Sequence, residues 1–282
     1  MLGRRWLEMT WRDGLFAHWP VDPATVAASL PGDLSVATHD GDAYLGVVPF
    51  VMDDIRPRGV PMGLSFPELN LRTYVEGPNG PGVYFHSLDA DDRLGVAVAR
   101  GVFRLPYYRA ETDVRRSEAG DEIDGIGAGD EIDGIGAGDE IDGIGAGDEI
   151  DGSGAEDDIG NVGSGVGSDG ETAVRFASRR VHRGAPHARF DATYAPAGEA
   201  FTPEPGSLPA FLLENYRFYT AGESGRLYVG EIDHEPWTLR PAAAEIRANT
   251  LFAANGFEAP DGDPTLHYAE PIAVTADRLR RV

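Results

Sequence analysis

Phe66-Pro-Glu-Leu-Asn-Leu-Arg-Thr-Tyr-Val75 alternates two kinds of side chain with a period of two. In an extended strand, Glu68, Asn70, Arg72 and Tyr74 share one face, and Leu69, Leu71, Thr73 and Val75 share the other. If the leucines and Val75 face a core, the polar face is either a solvated sheet surface or the wall of a wet cavity. A charged strand face is more commonly solvated. The residue types argue for a binding wall: Arg offers a planar fork for a carboxylate, and a Glu four residues away can orient it or take up a proton.

Working outward, the pattern remains that of strands. Residues 34–38 and 44–51 flank an Asp40-Gly41 turn and read as one hairpin, and residues 69–76 and 83–89 flank a Gly- and Pro-rich loop and read as a second. Residues 172–180, 187–194, 216–220 and 226–233 continue the strand pattern. Helices are expected at 23–30, with Asp22 as N-cap, and at 92–102, 207–213 and 242–255. The expected fold class is a β-rich α+β domain.

Further polar residues recur at strand spacing. Tyr84 and His86 share a face, and His86 is a candidate acid or base near neutral pH, although a lone strand histidine is more often simply packed or solvated. Arg100 sits in an apolar stretch and needs either a carboxylate such as Glu68 or an anionic ligand. Asn215, Arg217 and Tyr219 alternate onto one face, and His234 with Trp237 can close one end of a pocket, ordinary core packing being the plainer role for Trp237. His182 and His187 are poorly spaced for a metal pair, and neither H-E-x-x-H nor G-x-S-x-G is present, so no metal and no cofactor is expected.

Composition excludes whole classes of chemistry. All 24 basic residues are arginine and cysteine is absent, so the chain has no Schiff-base lysine, P-loop lysine, thiolate nucleophile or disulfide. The net charge of −23 is concentrated in residues 117–171, which hold 18 acids and 17 glycines and no base. The remainder has 29 acids against 24 bases. A nucleic-acid partner is therefore disfavoured. The acidic, lysine-free balance suits a halophilic cytoplasm, although a GC-rich genome also favours Arg. The N-terminal stretch has no apolar run behind its arginine pair, so no export signal, no membrane partner and a cytoplasmic location are expected.

Segment 117–171 is a nonapeptide repeat, Ala-Gly-Asp-Glu-Ile-Asp-Gly-Ile-Gly, starting at Ala119, Ala128 and Ala137, with a variant copy at Ala146. A calcium-binding β-roll also repeats every nine residues, but Ile126 and Ala128 fall where that motif wants glycine. The expectation is a disordered acidic insertion within one domain made of 1–116 and 172–282. The G-x-G-x-x-G match at 165–170 has no strand before it and no helix after it, and is read as chance.

Several motifs together resemble a known family. Phe16-x-His18-Trp19, Gly46-Val-Val-Pro-Phe50, Glu68-Leu-Asn-Leu-Arg-Thr-Tyr-Val75, Gly82-Val-Tyr-Phe-x-Ser-Leu-Asp-Ala90, Ala99-Arg100 with Leu105-Pro-Tyr107, and His234-x-Pro-Trp237 are similar to the YqjF family, DUF2071. The likeness covers nearly the whole chain outside 117–171. It implies an acetoacetate decarboxylase-like cone or barrel of mostly antiparallel strands around an internal pocket, with a few short helices. It does not carry over the decarboxylase mechanism. Where those enzymes have Gly-Arg-Glu-Ile-Trp-Gly-Phe-Pro-Lys-Lys, this chain has Ala99-Arg-Gly-Val-Phe-Arg-Leu-Pro-Tyr107-Tyr108, with tyrosine at both lysine positions.

The expectation is an Arg-lined β-pocket for a small carboxylate. Glu68, Tyr107 and His86 are candidates for acid–base work, and Arg72, Arg100, Asn70, Tyr74, Arg217, His234 and Trp237 for binding. The competing reading is a non-catalytic binding or scaffold protein whose repeat is a solvating or calcium-binding appendage.

Overall fold

The computed structural model describes residues 6–91, 105–117, 172–221 and 225–282. Fifteen strands run in the order β1 (Leu7–Arg12), β2 (Gly14–Val21), β3 (Ser35–Val36), β4 (Ala43–Pro57), β5 (Leu64–Gly77), β6 (Gly80–Ala90), β7 (Tyr107–Arg116), β8 (Val174–Arg180), β9 (Arg189–Pro196), β10 (Arg217–Ala221), β11 (Leu227–Asp233), β12 (Leu239–Asn249), β13 (Thr265–Ala269), β14 (Ile272–Ala276) and β15 (Arg280–Arg281). The helices among the described residues are Pro23–Ala27, Leu208–Leu213 and Leu251–Ala254. Asp22 and Ser207 cap the first two, each accepting from a backbone N–H of the first turn.

The hydrogen-bonded ladder closes on itself twice. One ring runs β1, β14, β11, β10, β6, β5, β4 and back to β1. The other runs β6, β7, β8, β9, β12, β13, β2, β4, β5 and back to β6. The three long strands β4, β5 and β6 belong to both and form a wall between two interiors. That is why the first ten residues of β4 are buried without a break, although an ordinary sheet has one wet face. The pairings are antiparallel except β6 with β7 and β6 with β10.

The second interior is a packed core. Leu15, Ala17 and Trp19 of β2, Leu45 and Val47 of β4, Leu69 and Leu71 of β5, and Phe176 and Phe190 of β8 and β9 meet there. The first interior receives the opposite faces: Phe16 of β2, Phe50 and Met52 of β4, Phe66 and Tyr74 of β5, and Leu88 of β6. The chain passes from β1, in the first ring, to β2, in the second, through Asp13. This residue is left-handed (φ 58°) and 1% exposed. Its carboxylate is held by Arg12 at 2.6 Å and by Arg116, and its carbonyl accepts from the Tyr194 hydroxyl at 2.7 Å. The ring change thus occurs at a strained, fully partnered residue.

Two local expectations are corrected. The Asp40-Gly41 turn forms, with positive φ at both residues and a His39–Asp42 bridge, but β3 then pairs with Val75 and Glu76 of β5 rather than with β4. The alanine-rich stretch expected as a helix at 242–255 is mostly β12, and only Leu251–Ala254 is helical. Pairing of Ala242–Asn249 with β9 outweighs alanine's helix preference. The second expected hairpin forms, with β5 and β6 joined across Pro78-Asn79. The helix expected at 92–102 and nearly all of the repeat, from 118 on, lie outside the described residues. Among the described residues no helix is long and apolar enough to cross a membrane.

Candidate functional site

Strand β5 brings Glu68, Asn70, Arg72 and Tyr74 to the first interior, and all four are buried. The polar face is therefore the wall of an internal space rather than a solvated surface. Opposite them on β4 stand Phe50, Val48 and Gly46, in register with Glu68, Asn70 and Arg72. The resulting cavity is about 530 Å³. Its walls are mainly aromatic and aliphatic, and its polar members include Glu68, Arg72, Tyr107, Arg217 and His234. A side recess of about 60 Å³ shares Glu68, Arg72 and Trp237 and adds Asn70.

Tyr107 enters from the start of β7 and donates its hydroxyl to Glu68 Oε2 at 2.6 Å. Burial pushes the Glu68 carboxyl up to about 7, against the smaller opposing pull of hydrogen bonds from Tyr107 and the Asn70 amide. Burial also lifts the Tyr107 phenol well above its ordinary value, with the Glu68 charge adding to the shift. The pair is thus a carboxyl that changes charge near neutrality beside a phenol that stays protonated. Tyr108, the next residue, faces elsewhere: its ring lies 4.0 Å under the Arg180 guanidinium, and Arg180 makes a bidentate pair with Asp89 at 2.6 and 2.9 Å.

Among the described residues, the groups that position Arg72 carry no negative charge. Its Nη2 donates to the Tyr74 hydroxyl and to the Leu212 carbonyl, each at 3.1 Å, and its guanidinium lies 5.0 Å from the Phe16 ring centre. Nε is buried without a partner, and among the described residues no carboxylate pairs with Arg72. The Tyr74 hydroxyl in turn lies 2.6 Å from His18 Nε2. Burial, followed by the Arg72 charge, holds the His18 imidazole well below its ordinary value, so it is neutral. The chain Arg72–Tyr74–His18 needs Gly46, because a Cβ there would lie 2.7 Å from His18 Cδ2. His18 and Gly46 are site residues that the sequence reading misses. The alternation of Phe16 and His18 against Leu15, Ala17 and Trp19 was the signal available.

The other expected residues divide. Trp237 lines the cavity, donates its indole N–H to the Leu213 carbonyl at 3.0 Å, and stacks against Trp11. His234 also lines it, with its ring stacked on Tyr216 at 4.6 Å. Arg217 reaches the cavity, while its Nη1 donates to the Pro81 carbonyl at 3.0 Å. Tyr219, as expected, lies near Arg217: it donates to the Gly80 carbonyl of the β5–β6 hairpin that Arg217 also contacts.

His86 is on the other side of the wall from Glu68. A bulge shifts the register so that Leu71 faces Ser87 and Arg72 faces Phe85. Phe85 and Leu88 therefore line the cavity, while His86 packs against Phe257 and, as expected, Tyr84. Burial lowers it to about 4. Arg100 lies outside the described residues. No three His, Asp or Glu side chains among the described residues are grouped to hold a metal.

Comparison with known proteins agrees with this architecture. The model of the family DUF2071, an "uncharacterized conserved protein", matches residues 8–130 and 163–273. The uncharacterized protein YqjF of Bacillus subtilis (strain 168) is 36% identical over 278 residues, 98% of this chain and 92% of YqjF. Among solved structures, the enduracididine biosynthesis enzyme MppR complexed with pyruvate superposes with a TM-score of 0.55 at 14% identity, over 100% of this chain and 91% of MppR. An acetoacetate decarboxylase-like enzyme from Sphingomonas wittichii RW1 gives 0.54 at 12% identity, over 99% and 93%. The fold is thus acetoacetate decarboxylase-like.

Proposed function

This chain belongs to the DUF2071 family, and from that premise we propose that it binds a small organic carboxylate in the cavity of the first ring. The observation that carries the reading is Arg72: a buried guanidinium on the cavity wall, fixed by Tyr74 and Leu212, with no carboxylate partner among the described residues. A buried cation without a counter-charge is costly, and a bound anion supplies the missing charge through a charge-assisted contact. MppR, a protein of the same fold, has been solved with pyruvate, which supports a carboxylate as the ligand class.

If the protein is an enzyme, the chemistry is lysine-independent acid–base work. Glu68 holds or releases a proton near neutral pH, and Tyr107 donates a hydrogen bond to it from a phenol that does not ionise. Schiff-base decarboxylation has no residue to carry it, since the chain contains no lysine.

The test is a thermal-shift screen with keto-, hydroxy- and unsaturated carboxylates on the wild type beside Arg72→Met. A ligand that binds only the folded state raises the melting temperature by mass action. Stabilisation of the wild type alone is expected; equal shifts in both proteins, or none in either, refute the reading.

A further inference from the structure

The cavity is asymmetric along β5. Leu64, Phe66, Glu68, Asn70 and Arg72 succeed one another on one face of the strand. Leu64 is 44% exposed, Phe66 is buried at 7%, and Glu68 and Arg72 are buried beyond it. Nearby Met62, also in the lining, is 80% exposed and marks the mouth. The partners on β4 follow the same gradient, with Ile55 opposite Leu64 and Met52 opposite Phe66. From Leu64 to Arg72 the strand advances roughly 25 Å at about 3.3 Å per residue. The charged end is therefore deep, and the approach to it is apolar apart from Arg56, whose charge is met by Glu8 and Asp54.

The volume sharpens the point. Cavities of several hundred Å³ hold ligands with a substantial body, and this one is about 530 Å³ with few polar groups. A three-carbon acid at Arg72 would leave most of the space to water, at about 30 Å³ per molecule, against walls with little to hydrogen-bond it.

We propose that the ligand is an amphipathic monocarboxylate, its carboxylate at Arg72 and an alkyl or aryl body lying between Phe66, Met52 and Phe85 toward the mouth at Met62. The proposal rests on the carboxylate reading above and adds the ligand class. The head group enters first and is desolvated beside Arg72, Tyr74 and the Glu68 carboxyl. The body displaces water from the apolar section of the cavity, and this section sets the affinity.

The experiment is calorimetric titration of the full chain with butyrate, hexanoate and octanoate, with octanol as an uncharged ligand of matched length, repeated on Arg72→Met. Each buried methylene is worth about fourfold in affinity, so octanoate should bind about two-hundredfold more tightly than butyrate. It should also bind at least about tenfold more tightly than octanol, as loss of a charge-assisted contact implies. Affinity that is flat across chain length overturns the amphiphile class while leaving an anion site at Arg72 intact. Octanol binding as tightly as octanoate, with no effect of Arg72→Met, overturns both this inference and the carboxylate reading. Because the octanol comparison is made in the wild type, it decides the matter even if the variant does not fold.

Discussion

The Tyr107 hydroxyl donates to Glu68 at 2.6 Å, on a strand wall whose other face is packed with Leu69 and Leu71. One side chain of this pair changes charge near neutrality and the other does not. The pH dependence contributed by this pair follows from that difference.

Glu68 is raised from 4.5 to about 7 on folding. Between those values the folded protein holds the proton and the unfolded chain releases it, so stability contributed at low pH falls as pH rises through this window and is flat above it. Glu68→Gln removes the slope. Its stability relative to wild type should climb from near zero at pH 4.5 to about 3 kcal/mol above pH 7, by urea titration at a series of pH values. His86, lowered from 6.5 to about 4, acts in the opposite sense and destabilises the fold as pH falls through that range. It does so in both proteins, so the difference between them isolates Glu68. Parallel profiles would refute the assignment.

Tyr107→Phe removes a donor that stabilises the ionised carboxylate. The Glu68 carboxyl should then titrate above its wild-type value of about 7, as followed by its infrared carbonyl band. The variant should fold with a loss of roughly 1 kcal/mol. An unchanged carboxyl titration would mean that the hydroxyl is directed elsewhere in solution.

Gly46→Ala places a methyl 2.7 Å from His18 Cδ2 and 3.4 Å from Arg72 Cγ. The imidazole must shift, which breaks its contact with Tyr74 and loosens Arg72. Expected are a destabilisation of about 1–3 kcal/mol in urea and loss of the carboxylate-dependent thermal shift. Retention of both wild-type values would show that the wall yields at no cost.

Asp89 and Arg180 form a bidentate pair with both side chains 1% exposed. Removing one charge leaves the other buried alone, so Asp89→Leu or Arg180→Met should each cost about 3–5 kcal/mol. The double variant Asp89→Leu, Arg180→Met should recover most of that loss. A urea-melt cycle reading additive losses would contradict the pairing.

Much of the site could be read from β5, because strand alternation is local: Glu68, Asn70, Arg72 and Tyr74 share the face that period two assigns to them. The long-range consequences could not. Nothing within 66–75 indicates that both faces are buried, since that depends on β1, β10 and β14 closing one ring and β8, β9 and β12 closing the other. Alternation places His86 with Tyr84, as the structure does, but the bulge between Leu71 and Arg72 turns both away from the cavity, and a bulge is set by the partner strand. The alanines of β12 show the same limit, as pairing with β9 overrides a local helix preference. His18 was in view as part of a motif, yet its role depends on a contact with Tyr74, 56 residues away.

The shared wall also constrains how this protein can change. Along β5, alternate codons supply two different compartments, one chemical and one mechanical. Point substitutions at 68, 70 or 72 can retune the first without disturbing the second. An inserted or deleted residue would exchange the two sets, sending Glu68 and Arg72 into the packed interior and the leucines into the cavity. The strand is open to substitution and closed to changes of length.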